Sequence, residues 1–431
     1  MKFQPPKGTR DFLPEEMIKR EFVIQKIKQV FEKWGYEPLD TPAIESFELL
    51  AAKSGAGQAI KDEIYYFKDK ADRELGLRFE FTVSTARILA SDSSIPKPFK
   101  RYQIGKVWRY DNPGYGRFRE FVQADIDIFG SSLPAADAEI IAVACDVFAA
   151  LGFKDFVIRV SNRKILEAFS AAIGLDEKSR LEVFRSVDKL SKIGESGVID
   201  ELKNKNIAEE KIKKILDLIK ISGSTKQTME KISNIVKKIG MSAAGIEELG
   251  SLVKEIEIFG YEKNIVVDMS LVRGLEYYTG AVFEVAVAGG NLSLAGGGRY
   301  DKMIEMVGGN PTVATGIGFG LERIIEVMKE NKMLDLPKVQ TKVFVANVDE
   351  KVKSSALKIA SQLRKENISC QTDLMNKNLT KQLEYANSVG IPYVVIVGQK
   401  EIRSKKFKLK DMQKKTEKEM QLKDIIAVLK S

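Results

Sequence analysis

Residues 109–130 read RYDNPGYGRFREFVQADIDIFG, and this stretch decides the fold. Past the Pro-Gly-Tyr-Gly tip, the even positions Phe118, Val122, Ala124, Ile126 and Ile128 are apolar. The odd positions Arg117, Arg119, Gln123, Asp125 and Asp127 are polar, with Phe121 the exception. Successive side chains of a strand point to opposite faces, so the pattern predicts one core face and one polar face. Upstream, RYQIGKVWRY (101–110) carries Tyr102, Ile104, Trp108 and Tyr110 on its even positions. Pro113, Gly114 and Gly116 supply the turn. The two runs form a hairpin, with Arg109 and Asp111 closing the first strand beside the tip. A solvated surface strand and a built binding face both account for so much charge on one side.

Working outward, residues 15–34 read as a helix, because Val23, Ile24, Ile27, Val30, Phe31 and Trp34 recur at three and four. GYEPLDTPAIES, with Pro38 and Pro42, reads as an extended, edge-like segment. DEIYYFKD and LGLRFEFT read as two strands of a meander, and VSTARILASDSS as a helix. Asp137–Leu151 is an apolar helix and KDFVIRVSN a strand. From about Arg163 to Gly260 the pattern turns helical and lysine-rich, an insertion into a β-rich region. NIVVDMS and AVFEVAVA return to strand, GGGRYDKMIEMVGG is a loop then a helix, and TVATGIGFGLERIIEVMKE a strand running into a helix. Residues 331–340 (NKMLDLPKVQ) form a linker, after which strands and helices alternate to the end. The expected fold is therefore an α+β domain over 1–330 with an antiparallel sheet and a helical insertion at about 163–260. A C-terminal α/β domain with a mostly parallel sheet follows over 341–431.

Composition narrows the chemistry. The 431 residues contain no histidine, which removes the commonest general base and every Ser-His or Cys-His nucleophile. Cys145 and Cys370 are too few and too far apart for a disulfide framework or a zinc site. No run approaches the roughly 20 apolar residues that span a bilayer, and the start, MKFQPPKGTRDFLPEE, has no secretory character. A cytoplasmic protein with no membrane association is expected. From Thr341 on there are 19 Lys and Arg against 10 Asp and Glu, so the whole net charge of +9 sits in the C-terminal module. A polyanionic partner and a lysine-rich surface kept for solubility explain that equally well.

Further segments carry candidate chemistry. In GIGFGLERI, Gly316, Gly318 and Gly320 alternate before Glu322 and Arg323. Glycine at every second position leaves one strand face bare, so a flat ring could lie there, with Arg323 covering it or meeting phosphate. A dinucleotide fingerprint would need glycine where Leu321 stands, and no G-x-x-x-x-G-K-[ST] is present. LVRGLEYYTG puts Arg273 beside Gly274, with Tyr277 and Tyr278 close behind, and AGGGRYDKM places Tyr300 after three glycines. In LRFEFT, Glu80 and Thr82 share a strand face, a carboxylate beside a hydroxyl that suits an ammonium ligand. Singly, each has a plain structural explanation.

Taken in order, LRFEFT, RYDNPGYGRFREFVQADIDIFG, LVRGLEYYTG, GGGRYD and GIGFGLERI resemble a class II aminoacyl-tRNA synthetase, and more narrowly the histidyl-tRNA synthetases. GIGFGLERI is similar to motif 3 of that class, RYDNPGYGRFREF to motif 2, and the first helix with EPLDTPAIE to motif 1, whose proline would be Pro42. LVRGLEYYTG and GGGRYD match the two segments specific to the histidine enzymes, and LTKQLEYANSVGIPYVVIVGQKEI is like their anticodon-binding domain. The resemblance covers essentially the whole chain. It departs at Ser84, where proline is expected, and at the short PGYG tip.

The resemblance implies a catalytic domain over 1–330, an anticodon-binding domain over 341–431, and ligation of L-histidine to tRNA(His) through a histidyl-adenylate, with release of AMP and pyrophosphate. It implies ATP as substrate, Mg²⁺ on the β- and γ-phosphates, and a homodimer. Arg109 would hold the α-phosphate and the amino acid carboxylate, with Arg273 as a second arginine at the α-phosphate. Arg117 and Asp111 would complete the ATP side, with Phe121 under the adenine and Arg323 on the ring or at the γ-phosphate. Glu80, Thr82 and Gln123 would bind the α-ammonium. Asp127, Tyr277 and Tyr278 would read the imidazole, and Tyr300 would line the pocket. Two alternatives stand beside this: a non-catalytic, synthetase-like regulatory subunit, which typically lacks the anticodon domain, and a synthetase of the same subclass for threonine, proline or glycine, against which LVRGLEYYTG argues.

Overall fold

The computed structural model describes residues 3–52, 61, 63–272, 277–287 and 292–430. The chain divides into two compact units, Met1–Arg10 with Val23–Met333 and Asp11–Phe22 with Leu334–Ser431. The first part of the chain forms α1 (Pro14–Lys33), β1 (Glu37–Pro38), β2 (Ile44–Ser46), α2 (Phe47–Ala52), β3 (Tyr66–Lys68), β4 (Glu74–Leu77) and α3 (Thr82–Ser91). The hairpin follows as β5 (Phe99–Trp108) and β6 (Glu120–Phe129), then α4 (Pro134–Ala150) and β7 (Phe156–Asn162). Six helices come next: α5 (Arg163–Ala172), α6 (Glu177–Asp188), α7 (Leu190–Asn204), α8 (Glu209–Ile219), α9 (Thr225–Ile239) and α10 (Ala244–Phe259). The unit closes with β8 (Ile265–Val267), β9 (Ala281–Val287), β10 (Ser293–Arg299), α11 (Met303–Met306), β11 (Ala314–Gly320) and α12 (Leu321–Glu330).

Eight of these strands make one sheet in the order β1-β5-β6-β11-β10-β9-β7-β8. Its interior is antiparallel, but β1 pairs with β5 and β8 with β7 in parallel, so the sheet is mixed rather than antiparallel throughout. The physical reason at one edge is the connection: β7 and β8 are separated by α5–α10, a crossover long enough to bring the chain back in the same direction. Helix α4 is apolar nearly all round because it is buried on both sides. Phe148 meets Phe319 and Phe156 of the sheet at 6.0 and 5.5 Å, and α10 packs over the helix. Val23, Ile27, Val30 and Phe31 of α1 are buried, with Phe31 5.7 Å from Phe319.

Two local expectations fail. LRFEFT is not a strand: β4 ends at Leu77, and Glu80 turns back so that its carboxylate accepts the N–H of Thr82 (2.9 Å) and of Val83 (2.8 Å) at the start of α3. A carboxylate that satisfies orphan helix donors is worth more there than in a ladder. GGGR is not a loop but the end of β10. A Cβ on Gly297 would stand 2.0 Å from the Gly316 oxygen, and one on Gly298 would stand 2.5 Å from the Ala281 oxygen. Here glycine marks close strand packing, which the sequence does not distinguish from a turn.

The second unit holds β12 (Val343–Asn347), α13 (Lys353–Lys365), β13 (Cys370–Thr372), α14 (Leu379–Val389), β14 (Tyr393–Val397), α15 (Gln399–Ser404), β15 (Lys406–Asp411), β16 (Thr416–Gln421) and α16 (Leu422–Lys430). The sheet order is β13-β12-β14-β15-β16. Its first three strands are parallel, as α/β crossovers require, whereas β15 and β16 join antiparallel through a short turn that no parallel pair could use. Val343, Val345, Val395 and Val397 pack with α13 and α16 on one face. Phe344, Ala346, Val394 and Ile396 pack with α14 on the other.

Candidate active site

The polar face of β6 forms the floor of a cavity of about 970 Å³ in the first unit. Phe121, Gln123, Asp125 and Asp127 all line it, as the alternation predicts. The register explains the glycines of β11: Gly316 lies across from Asp127, Gly318 from Asp125 and Gly320 from Gln123. A Cβ on Gly316 would stand 2.0 Å from Asp127 Oδ1, and one on Gly318 would stand 2.8 Å from Asp125 Oδ1 and 3.0 Å from Gln123 Nε2. The bare face is therefore filled at Gly316 and Gly318 by side chains of β6, not left for a flat ring. At Gly320 a Cβ would make only ordinary contact, its nearest neighbour being the Leu294 oxygen at 3.7 Å.

The cavity brings together Glu80, Thr82, Arg109, Asp111, Arg117, Phe121, Gln123, Asp127, Tyr277, Tyr278, Tyr300 and Arg323. Arg273 lies outside the described residues. Arg109 leaves the end of β5, donates to the Phe79 carbonyl (3.1 Å) and to Gln123 Oε1 (3.2 Å), and lies 5.1 Å from the centre of the Phe121 ring. Arg323, at the head of α12, donates to the Ser293 carbonyl (2.9 Å) and reaches the Gly116 carbonyl of the hairpin tip (3.4 Å). Glu322 beside it is buried and accepts the Val122 N–H at 3.2 Å. Arginines and carboxylates thus line the cavity together.

The carboxylates of Glu80, Asp125 and Asp127 are buried. Asp127 is 3% exposed; it pairs with Arg101 and accepts the Tyr300 hydroxyl. Burial, with the Asp127 charge beside it, pushes the Tyr300 hydroxyl well above its ordinary range, so it stays a donor. Burial also pushes the Asp125 carboxyl up to about 7, against the Arg101 guanidinium, with Asp127 adding to the rise. Tyr277 and Tyr278 pack near Tyr300 in the wall, the Tyr277 and Tyr300 rings 6.3 Å apart.

Sequence reading gave no role to several residues. Arg101 sits directly across from Asp127 on β5, a signal readable once the hairpin register is known. Arg159 faces Glu284 across β7 and β9 and bonds it (3.2 Å), Asp268 (2.7 Å) and Ser270 (3.0 Å), closing another side of the cavity. Val187–Asp188 and Leu190–Lys192, from α6 and α7, also line it. Arg119 shares the parity of the site but precedes β6. It donates to the Asp111 carbonyl (3.1 Å) and lies over the Tyr110 ring (4.4 Å), bracing the loop at the tip of the hairpin.

Comparisons with known proteins identify the family. Residues 8–324 match the family model described as histidyl-tRNA synthetase, and residues 342–431 match that of the anticodon binding domain. The chain is 35% identical over 429 residues to the histidine–tRNA ligase of Pyrococcus furiosus, covering 99% of this chain and 98% of that one. It is 39% identical over 402 residues to that of Aeropyrum pernix, covering 92% and 91%. The crystal structure of histidyl-tRNA synthetase from Nostoc sp. PCC 7120 superposes with a TM-score of 0.87 at 31% identity, covering 100% of this chain and 99% of that one. A Bacillus halodurans C chain titled as an ATP phosphoribosyltransferase regulatory subunit/histidyl-tRNA synthetase shares the fold at 22% identity and a TM-score of 0.78, covering 92% of this chain and 98% of that one. With one family model spanning most of the chain and relatives matching it nearly end to end, the chain belongs to the histidyl-tRNA synthetase family.

Proposed function

The chain charges tRNA with histidine at the expense of ATP; we propose that the cavity on β6 is where histidine and ATP meet. The observation that supports this reading is the convergence of arginines from two separate segments, Arg109 and Arg323, on the polar face that also carries Gln123 and Asp127. A histidine carboxylate oxygen attacks the α-phosphorus, the bond to the bridging oxygen breaks, and pyrophosphate leaves with the electron pair. That step needs no general base, only charge neutralisation and in-line placement, which suits a chain without histidine. Arg109, fixed by Phe79 and Gln123, neutralises the α-phosphate and steers the carboxylate, with Arg273 as a second arginine there. Arg117, Asp111, Phe121 and Arg323 hold the nucleotide. Glu80, Thr82 and Gln123 take the α-ammonium, and Asp127, Tyr277, Tyr278 and Tyr300 the imidazole. A terminal ribose hydroxyl of tRNA(His) then attacks the carbonyl carbon and AMP leaves.

Among the described residues no group of three ligating side chains gathers. Mg²⁺ commonly takes only one or two carboxylates beside phosphates. Glu322 and Asp111, both lining the cavity, fit that donor set and would hold it. Held there, the ion's charge would shield the β- and γ-phosphates. On the same reading, the catalytic domain spans 1–330 with the insertion at about 163–260, and 341–431 binds the anticodon. The chain pairs as a homodimer and works in the cytoplasm. Amino-acid-dependent pyrophosphate exchange across all twenty amino acids tests the assignment: exchange with L-histidine is expected, and its absence overturns it. Sedimentation at two concentrations tests the dimer.

A further inference from the structure

Gln123 is held from two sides. Its Nε2 donates to Asp125 Oδ2 (2.9 Å), and its Oε1 accepts from Arg109 Nη2 (3.2 Å). A guanidinium only donates and an ionised carboxylate only accepts. Turning the amide over would set oxygen against oxygen on one side and N–H against N–H on the other, so the network admits one orientation. Asp125 itself is 4% exposed, and the missing side chain of Gly318 gives it room, since a Cβ there would stand 2.8 Å from its Oδ1. That Oδ1 has no hydrogen-bond partner among the described residues, so a proton taken up there leaves Oδ2 accepting. Arg101, Asp127, Glu80 and the Gln123 amide surround it, and none of the proposed substrate contacts uses it.

We propose that Asp125 is a positioning residue that fixes the Gln123 amide with its oxygen toward Arg109 and the α-ammonium of the amino acid. The proposal rests on the assignment of this cavity to histidine and ATP. Asparagine at 125 can donate as well as accept, so it no longer dictates the orientation. In a flipped amide the N–H groups face two cations, and the loss falls on amino acid binding more than on turnover.

The test is histidine-dependent pyrophosphate exchange with the full chain, its Asp125→Asn, Gln123→Ala and doubly substituted forms, each also followed by thermal melting. Asp125→Asn is expected to raise the KM for histidine on the order of tenfold or more, with kcat changed only a few-fold. The double variant is expected to match Gln123→Ala alone, because Asp125 acts through Gln123. An unchanged KM in Asp125→Asn, or effects that multiply in the double variant, overturns the proposal while leaving the cavity assignment standing. A wild-type chain that exchanges with another amino acid, or with none, overturns both. Should Asp125→Asn not fold, Asp125→Ser, whose hydroxyl also donates and accepts, carries the same expectations.

Discussion

Strands β6 and β14 sit in the middle of their sheets and are built on opposite plans. β6 alternates, with Ala124, Ile126 and Ile128 in the core and Gln123, Asp125 and Asp127 on the cavity. β14, YVVIV, is apolar on both faces because helices cover both. A strand with one uncovered face can carry a built site. A strand covered on both faces leaves its module only loops, edges and the exterior, where the lysines of β15 and Leu374 and Met375, 87% and 72% exposed, are found. On the proposed reading the first unit recognises small molecules from inside, and the second, which matches an anticodon binding domain, meets a polyanion from outside.

The largest way to break this comparison is Arg109→Ala, expected to lower histidine-dependent exchange about a thousandfold, as the loss of one preorganised charge at a reacting phosphate does. Gly316→Ala comes next. Its Cβ would meet Asp127 Oδ1 at 2.0 Å and the Ile126 oxygen at 2.6 Å, so backbone or carboxylate must move. Exchange is expected to fall on the order of a hundredfold, chiefly through the KM for histidine. In the second unit, Leu363→Ala removes a fully buried side chain and should cost about 2–5 kcal/mol in denaturant unfolding. Exchange, which needs no tRNA, should hold; if it fell in step, the division of labour would be wrong.

A smaller effect is set by pH. Asp125 titrates near 7 in the fold against about 4 in the unfolded chain. Between those values the unfolded state binds fewer protons, so stability falls as pH rises from about 4 to about 7 and is level beyond. Asp125→Asn should remove this slope, roughly a few kcal/mol in all, as read by melting wild type and variant from pH 4 to 8. The smallest effect belongs to Lys406→Ala, an exposed residue at the start of β15. tRNA binding should weaken only a few-fold, with the salt slope reduced by less than about 1.

How much of this was legible varied with the kind of signal. The β6 face could be read because alternation is local and its period is exact to one residue. Glu80 lines the cavity, but from the head of α3 and not from a strand, because a carboxylate that caps a helix and one on a strand face look alike in LRFEFT. The glycines of β10 and β11 were misread, as a loop and as a bed for a ring, because their cause is a neighbouring strand distant in sequence. Arg101 and Asp125 were passed over for a related reason: what they do depends on register partners, not on their own spacing.

Gly316 and Gly318 carry a consequence for redesign. Most pockets are altered by exchanging the side chains that face the ligand, yet here two of the facing positions have none, and a Cβ at Gly316 would meet the Ile126 oxygen at 2.6 Å. A side chain introduced at Gly316 to change the amino acid substrate would first have to move Asp127 of β6, which already fills the space beside it.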